Sequence, residues 1–336
     1  MGYLHKIALL FLPLLLSFLF GRKEQQLYSI HGYAQGTDYS VKYFADSALI
    51  AKVAVDSILM KIDSSMSLYK PYSLISKFNS SENGVSLDPH FLAVIRKSFE
   101  IYKDTQGKFD VTVAPLVQAW GFGPKPISVF PDSSEIAELL KNVGMDYLEL
   151  KGNKLLKSRP NVHLDLNGIA QGYSVDVVAD YLERKGIHCY MVEIGGEIRL
   201  KGRKPDGTTM KIGIEGPAPD GISEPQIRHV ISFAEGAVTT SGNYRKFIKS
   251  GNKKVSHLVN PKTGYPLNTE LISVTIFAKD ALTADGYDNA IMAMGLNEAL
   301  AFIAARKNME AYIIYQRKDG ATADTLTTGF KKLIIN

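Results

Sequence analysis

The chain has 336 residues, 45% hydrophobic and 22% charged, an ordinary globular composition with apolar material enough for a substantial core and for two lobes. Lys and Arg number 39 against 34 Asp and Glu, a formal charge of +5, but the basic residues are scattered and gather only in pairs such as Arg22-Lys23, Lys253-Lys254 and Lys331-Lys332. No basic stripe is present for a nucleic acid to follow, which excludes that class of partner.

At the N-terminus Lys6 precedes the fourteen-residue apolar run Ile7 to Phe20, and Gly21-Arg22-Lys23 follow it. This is the length of a signal-peptide core and is short for a membrane span. Residues 1–21 are therefore expected to be a signal peptide or membrane anchor, with the functional domain at residues 24–336. Neither a small-x-small cleavage site nor a lipidatable cysteine accompanies the run, so cleavage and retention both stay open.

Leu27 to Ala34 and Tyr39 to Phe44 read as a strand pair joined by the turn Gln35-Gly36-Thr37-Asp38. Ala45 to Ile62 carries a helical apolar stripe. Met66 to Asn79, with its Pro and serines, reads as a loop passing into a short helix, and Tyr69 within it is either a stacking platform or a core ring. Pro89 to Thr105 is a second amphipathic helix stopped by Gly107. Gly107 to Pro115 then reads as a short strand, Trp120 to Pro124 as a rigid aromatic loop, residues 132–142 as a helix capped by Asp132 or Ser133, and Leu148 to Leu156 as a hairpin around Gly152-Asn153.

In the middle of the chain, Val162 to Leu166 reads as a strand that ends in a glycine turn and a helix running to about Lys185. Such a strand-to-helix turn presents backbone N–H groups suited to phosphate, although Gly168 and Gly172 could equally serve close packing. Cys189 to Ile194 is another strand, broken by Gly195-Gly196, and strands continue through Ile214 and Val230 to Ala234. Cys189 is the single cysteine, so no internal disulfide can form and the thiol is expected in the core. Thr239 to Arg245 and Ser256 to Pro266 are turn-rich and polar; Leu271 to Ala278 is a strand, and Ala311 to Tyr315 with Lys332 to Ile335 are expected as closing strands.

Between these lies Thr283 to Gly295, read as a helix. Asp285, Asp288 and Asn289 then fall at i, i+3 and i+4 on one face. Such a face is either solvated or neutralised by a bound cation, and a donor set of hard oxygens favours Mg²⁺ or Ca²⁺ over zinc or copper.

Several motifs, in this order, resemble one family: Phe109 to Val117 with Trp120-Gly121-Phe122-Gly123, the Asp165-to-Gly172 turn, Thr240-Ser241-Gly242, Ser256-His257 with Asn260-Pro261 and Thr263-Gly264, and Ala284-Asp285. They resemble the FAD:protein FMN transferases, the ApbE family, over the stretch from about residue 30 to the C-terminus. The resemblance implies an α+β fold with a tunnelling-fold-like core and flanking helices. It also implies a magnesium-dependent reaction in which FAD is split at its pyrophosphate, FMN passes to a Thr or Ser hydroxyl of an exported acceptor protein, and AMP leaves. An extracytoplasmic place, on the periplasmic side and attached to the inner membrane, agrees with residues 6–21. Carried over by position, the metal ligands fall on Asp285, Asn289 and the Gly168 carbonyl, with Asp288 as an added oxygen. Flavin contacts fall on Gln35, Tyr69, Lys108, Phe109, Asp110, Asp165, Gln171 and Val259. Family members commonly carry Met at Gln35, Thr at Asn289, a small uncharged residue at Asp288, and Gly or Ser at Asn167. His257 is the candidate general base toward the incoming hydroxyl, because an unperturbed imidazole titrates near neutrality. Two other activities fit the same residues: an FAD pyrophosphatase releasing FMN and AMP, and a flavin-binding protein without turnover.

Overall fold

The structure is a computed structural model that describes residues 24–218, 224–243, 247–250 and 253–335. The expected export segment, residues 1–21, lies outside the described residues. The chain opens on a hairpin of β1 (Gln26–Ala34) and β2 (Thr37–Ala45), in which Ala34 pairs with Thr37. Gln35 and Gly36 form its two-residue loop at φ 55° and 78°, the positive pair that matches the twist of antiparallel strands. Helices α1 (Lys52–Met66) and α2 (Leu74–Ser80), strand β3 (Gly84–Ser86) and helix α3 (Pro89–Asp104) follow. Next come α4 (Ala114–Ala119), α5 (Ser133–Leu140), the hairpin β4 (Leu148–Lys151) and β5 (Lys154–Lys157), and α6 (Ala170–Arg184). Strands β6 (Tyr190–Ile194), β7 (Glu197–Lys201), β8 (Lys211–Gly216), β9 (Gln226–Ser232), β10 (Glu235–Gly242), β11 (Phe247–Ser250), β12 (Lys253–Ser256) and β13 (Leu271–Ala278) lead to α7 (Ala281–Met292). The chain ends with α8 (Leu296–Ala304), β14 (Glu310–Gln316), β15 (Thr322–Leu326) and α9 (Thr328–Lys331).

One eight-stranded sheet, in the order β1-β2-β6-β7-β10-β13-β14-β15, runs through the molecule, and each of its neighbouring pairs is antiparallel. Helices α1, α6 and α7 pack on one face, where Val41, Tyr43 and Val192 of the sheet meet Val55, Leu59, Val175 and Val178. On the other face Leu200, Val238 and Ile314 pack with Ile212, Ile231 and Phe330, from the β8–β9 ribbon and α9. The result is a mixed α/β molecule built on a large antiparallel sheet. The largest apolar cluster lies where α3 and α7 meet β13, with Ile101, Ile169, Val274, Ile276, Ala290 and Ile291 among its buried members. Cys189 is a free thiol in the apolar cluster of the ribbon face, as expected.

Five expectations need correction. The α1 helix begins at Lys52, since β2 runs on to Ala45. Gly107 to Pro115 is not a strand: Asp110 accepts hydrogen bonds from Thr112 N (2.8 Å) and Thr112 Oγ1 (2.5 Å), folding the β-branched run into a turn before α4. Val162 to Leu166 joins no sheet: it makes the isolated bridge of His163 to Val113 and a backbone bond from Asp165 N to Val111 O. There the Asn79 side chain takes a neighbouring strand's place, donating to Leu164 O (3.0 Å) and accepting from Leu164 N (2.7 Å). Thr239 to Gly242 is the end of β10 rather than a turn. The last strand is β15, followed by α9, which Thr327 caps, while Ile334 keeps a single bridge to Ile231.

Candidate active site

α7 is the element around which the polar groups collect. Small residues at Ala281, Ala284 and Ala290 let it lie close against α6, β10 and β13, and Gly286 lets it approach Ile101 of α3, so its polar face is not solvated. Asp285 is 3% exposed and Asp288 1%. Asp285 Oδ2 accepts from Gly172 N at 2.8 Å, and Asp288 Oδ2 accepts from Thr239 Oγ1 at 2.6 Å. Asn289 Oδ1 accepts from Ser241 Oγ at 3.2 Å. Its Nδ2 faces four oxygens: Asp288 Oδ1 at 3.0 Å, Asp285 O at 3.1 Å, Gly168 O at 3.2 Å and Asp285 Oδ1 at 3.4 Å. An amide nitrogen has two hydrogens to offer. Four acceptors around it make an oxygen-rich pocket that a small cation would satisfy better.

The electrostatics point the same way. Burial pushes the Asp285 carboxyl up, and burial together with the Asp285 charge pushes Asp288 up further. Among the described residues neither carboxylate forms an ion pair with Lys or Arg. Two carboxyls, the Asn289 carboxamide oxygen once its side chain turns over, and the Gly168 carbonyl form a donor set of hard oxygens, which fits Mg²⁺. No cluster of three or more His, Cys, Asp or Glu that could hold a metal occurs among the described residues, so a cation here would depend on neutral oxygens beside the two carboxylates.

Several other expected residues lie on α6, on the Gly168 turn or on segments bonded to them. Asp165 is buried just before the Gly168 turn, accepts from Asn167 N at 2.8 Å, and is pushed up by burial. Gln171, on the first turn of α6, donates to Ile194 O at 3.2 Å, and Gln35 donates to Ser174 Oγ at 2.9 Å on the same helix. The 108–113 loop is joined to the turn through Asp165 N and Val111 O at 2.8 Å. Within that loop Phe109 is buried in the main core and Lys108 pairs with Glu298 at 3.2 Å.

Asp110 is pushed up to about 6 by burial, against the pull of its bonds from Thr112 and Met145 N. Those three bonds engage its carboxylate in holding the loop. Asp110→Ala is expected to lower stability by about 2 kcal/mol or more, because it strips buried donors of their acceptor. A denaturant midpoint unchanged from wild type would show that the loop does not depend on it.

Three expected residues stand elsewhere. Tyr69 is 64% exposed on the loop before α2, and Val259 bridges Pro266 and packs beside the Leu116–Trp120 cluster. The His257 ring meets Phe122 edge-on at 6.2 Å. Thr239 and Ser241 were missed as site residues. Their signal was the period of two along a strand, which places both hydroxyls on the α7 side.

The buried oxygen pocket between helix and sheet is the candidate site of an enzyme. The chain belongs to the ApbE family, whose family model matches residues 35–313. It is 36% identical over 306 residues to the FAD:protein FMN transferase of Vibrio cholerae, covering 89% of this chain and 90% of that protein. It is also 36% identical over 325 residues to that of Haemophilus influenzae, covering 93% of each. Among solved structures, the flavin transferase ApbE from Vibrio cholerae superposes with a TM-score of 0.83 at 35% identity, over 92% of this chain and 99% of that one.

Proposed function

We propose that this protein is a flavin transferase that moves FMN from FAD to an acceptor protein. In the reaction the acceptor's Ser or Thr oxygen bonds to the FMN phosphorus, the bond from that phosphorus to the bridging oxygen breaks, AMP leaves, and the hydroxyl proton passes to a base. The observation that carries this is the convergence of Asp285, Asp288, Asn289 and the Gly168 carbonyl, in a chain whose relatives bear that activity in their names. Asp285, Asp288, Asn289 Oδ1 and Gly168 O would hold Mg²⁺. When bound, it supplies positive charge for the phosphate oxygens as the pyrophosphate divides.

The chain's own groups do the rest. Thr239 orients Asp288 by donating to it, Ser241 holds the Asn289 carboxamide, accepting from Nδ2 once the amide has turned over, and Gly172 N–H holds Asp285. Gln35, Tyr69, Lys108, Phe109, Asp110, Asp165, Gln171 and Val259 belong to the flavin subsite in this proposal, Tyr69 as an exposed ring on which a flavin or adenine could stack. Residues 24–336 act as one domain with a tunnelling-fold-like core. Residues 1–21 export or anchor it on the periplasmic side of the inner membrane, where the acceptor is exported too.

Purified protein incubated with FAD, Mg²⁺ and a candidate acceptor tests the proposal. Covalent flavin on the acceptor with stoichiometric AMP is expected. AMP without labelled acceptor would mean pyrophosphatase activity instead, and retained FAD with no AMP would mean a carrier. His257→Ala is expected to slow transfer about a hundredfold with little loss of FAD affinity, in the range of general-base contributions. An unchanged rate would remove His257 from the reaction.

A further inference from the structure

The buried carboxylate of Asp176 lies outside the oxygen pocket and takes no direct part in it. It stands on α6 one turn beyond Gly172 and is 8% exposed. Its oxygens accept from the backbone N–H of Ala281 at 3.0 Å and of Leu282 at 2.8 Å, the first two residues of α7. Arg199 reaches over from β7 to Asp176 Oδ1 at 3.0 Å and shares its charge with Asp180 at 3.0 Å and Glu183 at 3.2 Å. α7 already has a cap of its own, since Asp280 accepts from Thr283 N at 2.8 Å. A second carboxylate at the same helix end, supplied by another helix, does more than satisfy open amides.

One turn further on, the two helices are joined again by the bond from Gly172 N to Asp285 Oδ2. They touch there without a gap: a methyl group added at Gly172 would collide with the Ala281 carbonyl oxygen and stand 2.7 Å from Asp285 Cβ. Residues 172 and 176 are i and i+4 on α6, and residues 281 and 285 are i and i+4 on α7, so the two contacts lie on facing stripes. Two fixed points one turn apart set both the height and the rotation of α7 against α6. That rotation decides whether the α7 carboxylates meet the Gly168 carbonyl, which precedes α6.

We infer that Asp176 is a positioning residue for the cation pocket, registering α7 on α6 so that Asp285, Asp288 and Asn289 converge with Gly168 O. Burial pushes its carboxyl up to about 6, while the Leu282 and Ala281 amides and Arg199 pull it back; at neutral pH it therefore acts as a carboxylate. The inference rests on the transferase proposal, because a magnesium ion is what the converged oxygens are taken to hold.

Magnesium binding to the full chain, measured by calorimetry and by the rise in Tm on adding Mg²⁺, tests it. Asp176→Asn keeps the volume but turns an amide donor toward the α7 amides, whereas Asp280→Ala removes only the local cap. The half-saturating Mg²⁺ concentration is expected to rise about tenfold or more in Asp176→Asn, as for other groups that orient a metal's ligands, with KM for FAD at saturating Mg²⁺ unchanged. Asp280→Ala is expected to lower Tm and leave half-saturation where it was. Wild-type half-saturation in Asp176→Asn would overturn the inference and leave the transferase proposal standing; a wild-type chain that binds no Mg²⁺ would overturn both. Should Asp176→Asn fail to fold, Asp176→Glu, which keeps the charge and adds a methylene, decides it. A weakened Mg²⁺ response supports registration, and an unchanged one overturns it.

Discussion

Asp285→Ala is expected to abolish magnesium-dependent AMP release and flavin transfer together, by at least about a thousandfold in kcat/KM, some 4 kcal/mol at roughly 1.4 kcal/mol per decade. Asp285 is the residue of α7 that reaches both halves of the pocket. Its Oδ2 is fixed by Gly172 N–H on α6, and its Oδ1 and its own carbonyl oxygen both face Asn289 Nδ2. Removing the side chain leaves the Gly172 amide without a partner and the pocket with one carboxylate. Asp285→Asn separates these effects, because the amide oxygen can still accept from Gly172 while the charge is gone. Both variants should lose the Mg²⁺-induced rise in Tm, and Asp285→Asn should keep the fold. Activity retained in full by either variant would remove Asp285 from the site.

The polar cluster itself was legible because i, i+3 and i+4 on a helix leave no choice of face. Its burial was not. α7 carries Ala281, Ala284, Gly286 and Ala290 on the sides where it meets its neighbours, and small residues do not announce a buried helix as a stripe of Leu or Ile would. Elements with a stop or start signal were also readable. Pro89 opens α3 behind the Asp88 cap, and Asp132 caps α5 by accepting from both Ser134 N and Glu135 N. The β-branched trio Val111-Thr112-Val113 misled because the Asp110 carboxylate competes for the backbone amide that a ladder would need. The Val162–Leu166 stretch misled for the complementary reason: its pairing partner is a side chain, Asn79, far away in sequence. Neither competitor leaves a periodic trace. Contacts between α6 and α7 are of the same kind, and for that reason Asp176 emerges from the fold rather than from the chain, whereas Gly172 was readable as a close-packing glycine and its neighbours, Ala281 and Asp285, were not.

A second carboxylate packed beside the first makes a further result predictable: Asp288→Asn should stabilise the metal-free protein at pH 8 while removing its activity. Asp288 is held protonated well above the usual carboxylate range, by burial first and then by the charge of Asp285. A native pKa raised above the unfolded value of about 3.9 means that the native state binds the proton more tightly. The stability linked to that proton is fully present below about pH 4 and is lost as the pH rises through the native value. At pH 8 the wild type must therefore either keep a proton against the bulk or bury two adjacent charges, whereas the neutral amide of the Asp288→Asn variant faces no such choice. Its carboxamide oxygen can still accept from Thr239 Oγ1, so the bond at 2.6 Å is conserved in kind. The gain is read as a rise in Tm at pH 8, and it should shrink toward zero at pH 4. Added Mg²⁺ should reverse the ranking, since the wild type gains stability from a ligand that binds only its native state and the variant does not. Under the proposed function, the charge repulsion of the two carboxylates would be a standing destabilisation that a bound cation relieves. A variant no more stable than wild type at pH 8 without metal would show that these two carboxylates do not strain the metal-free protein.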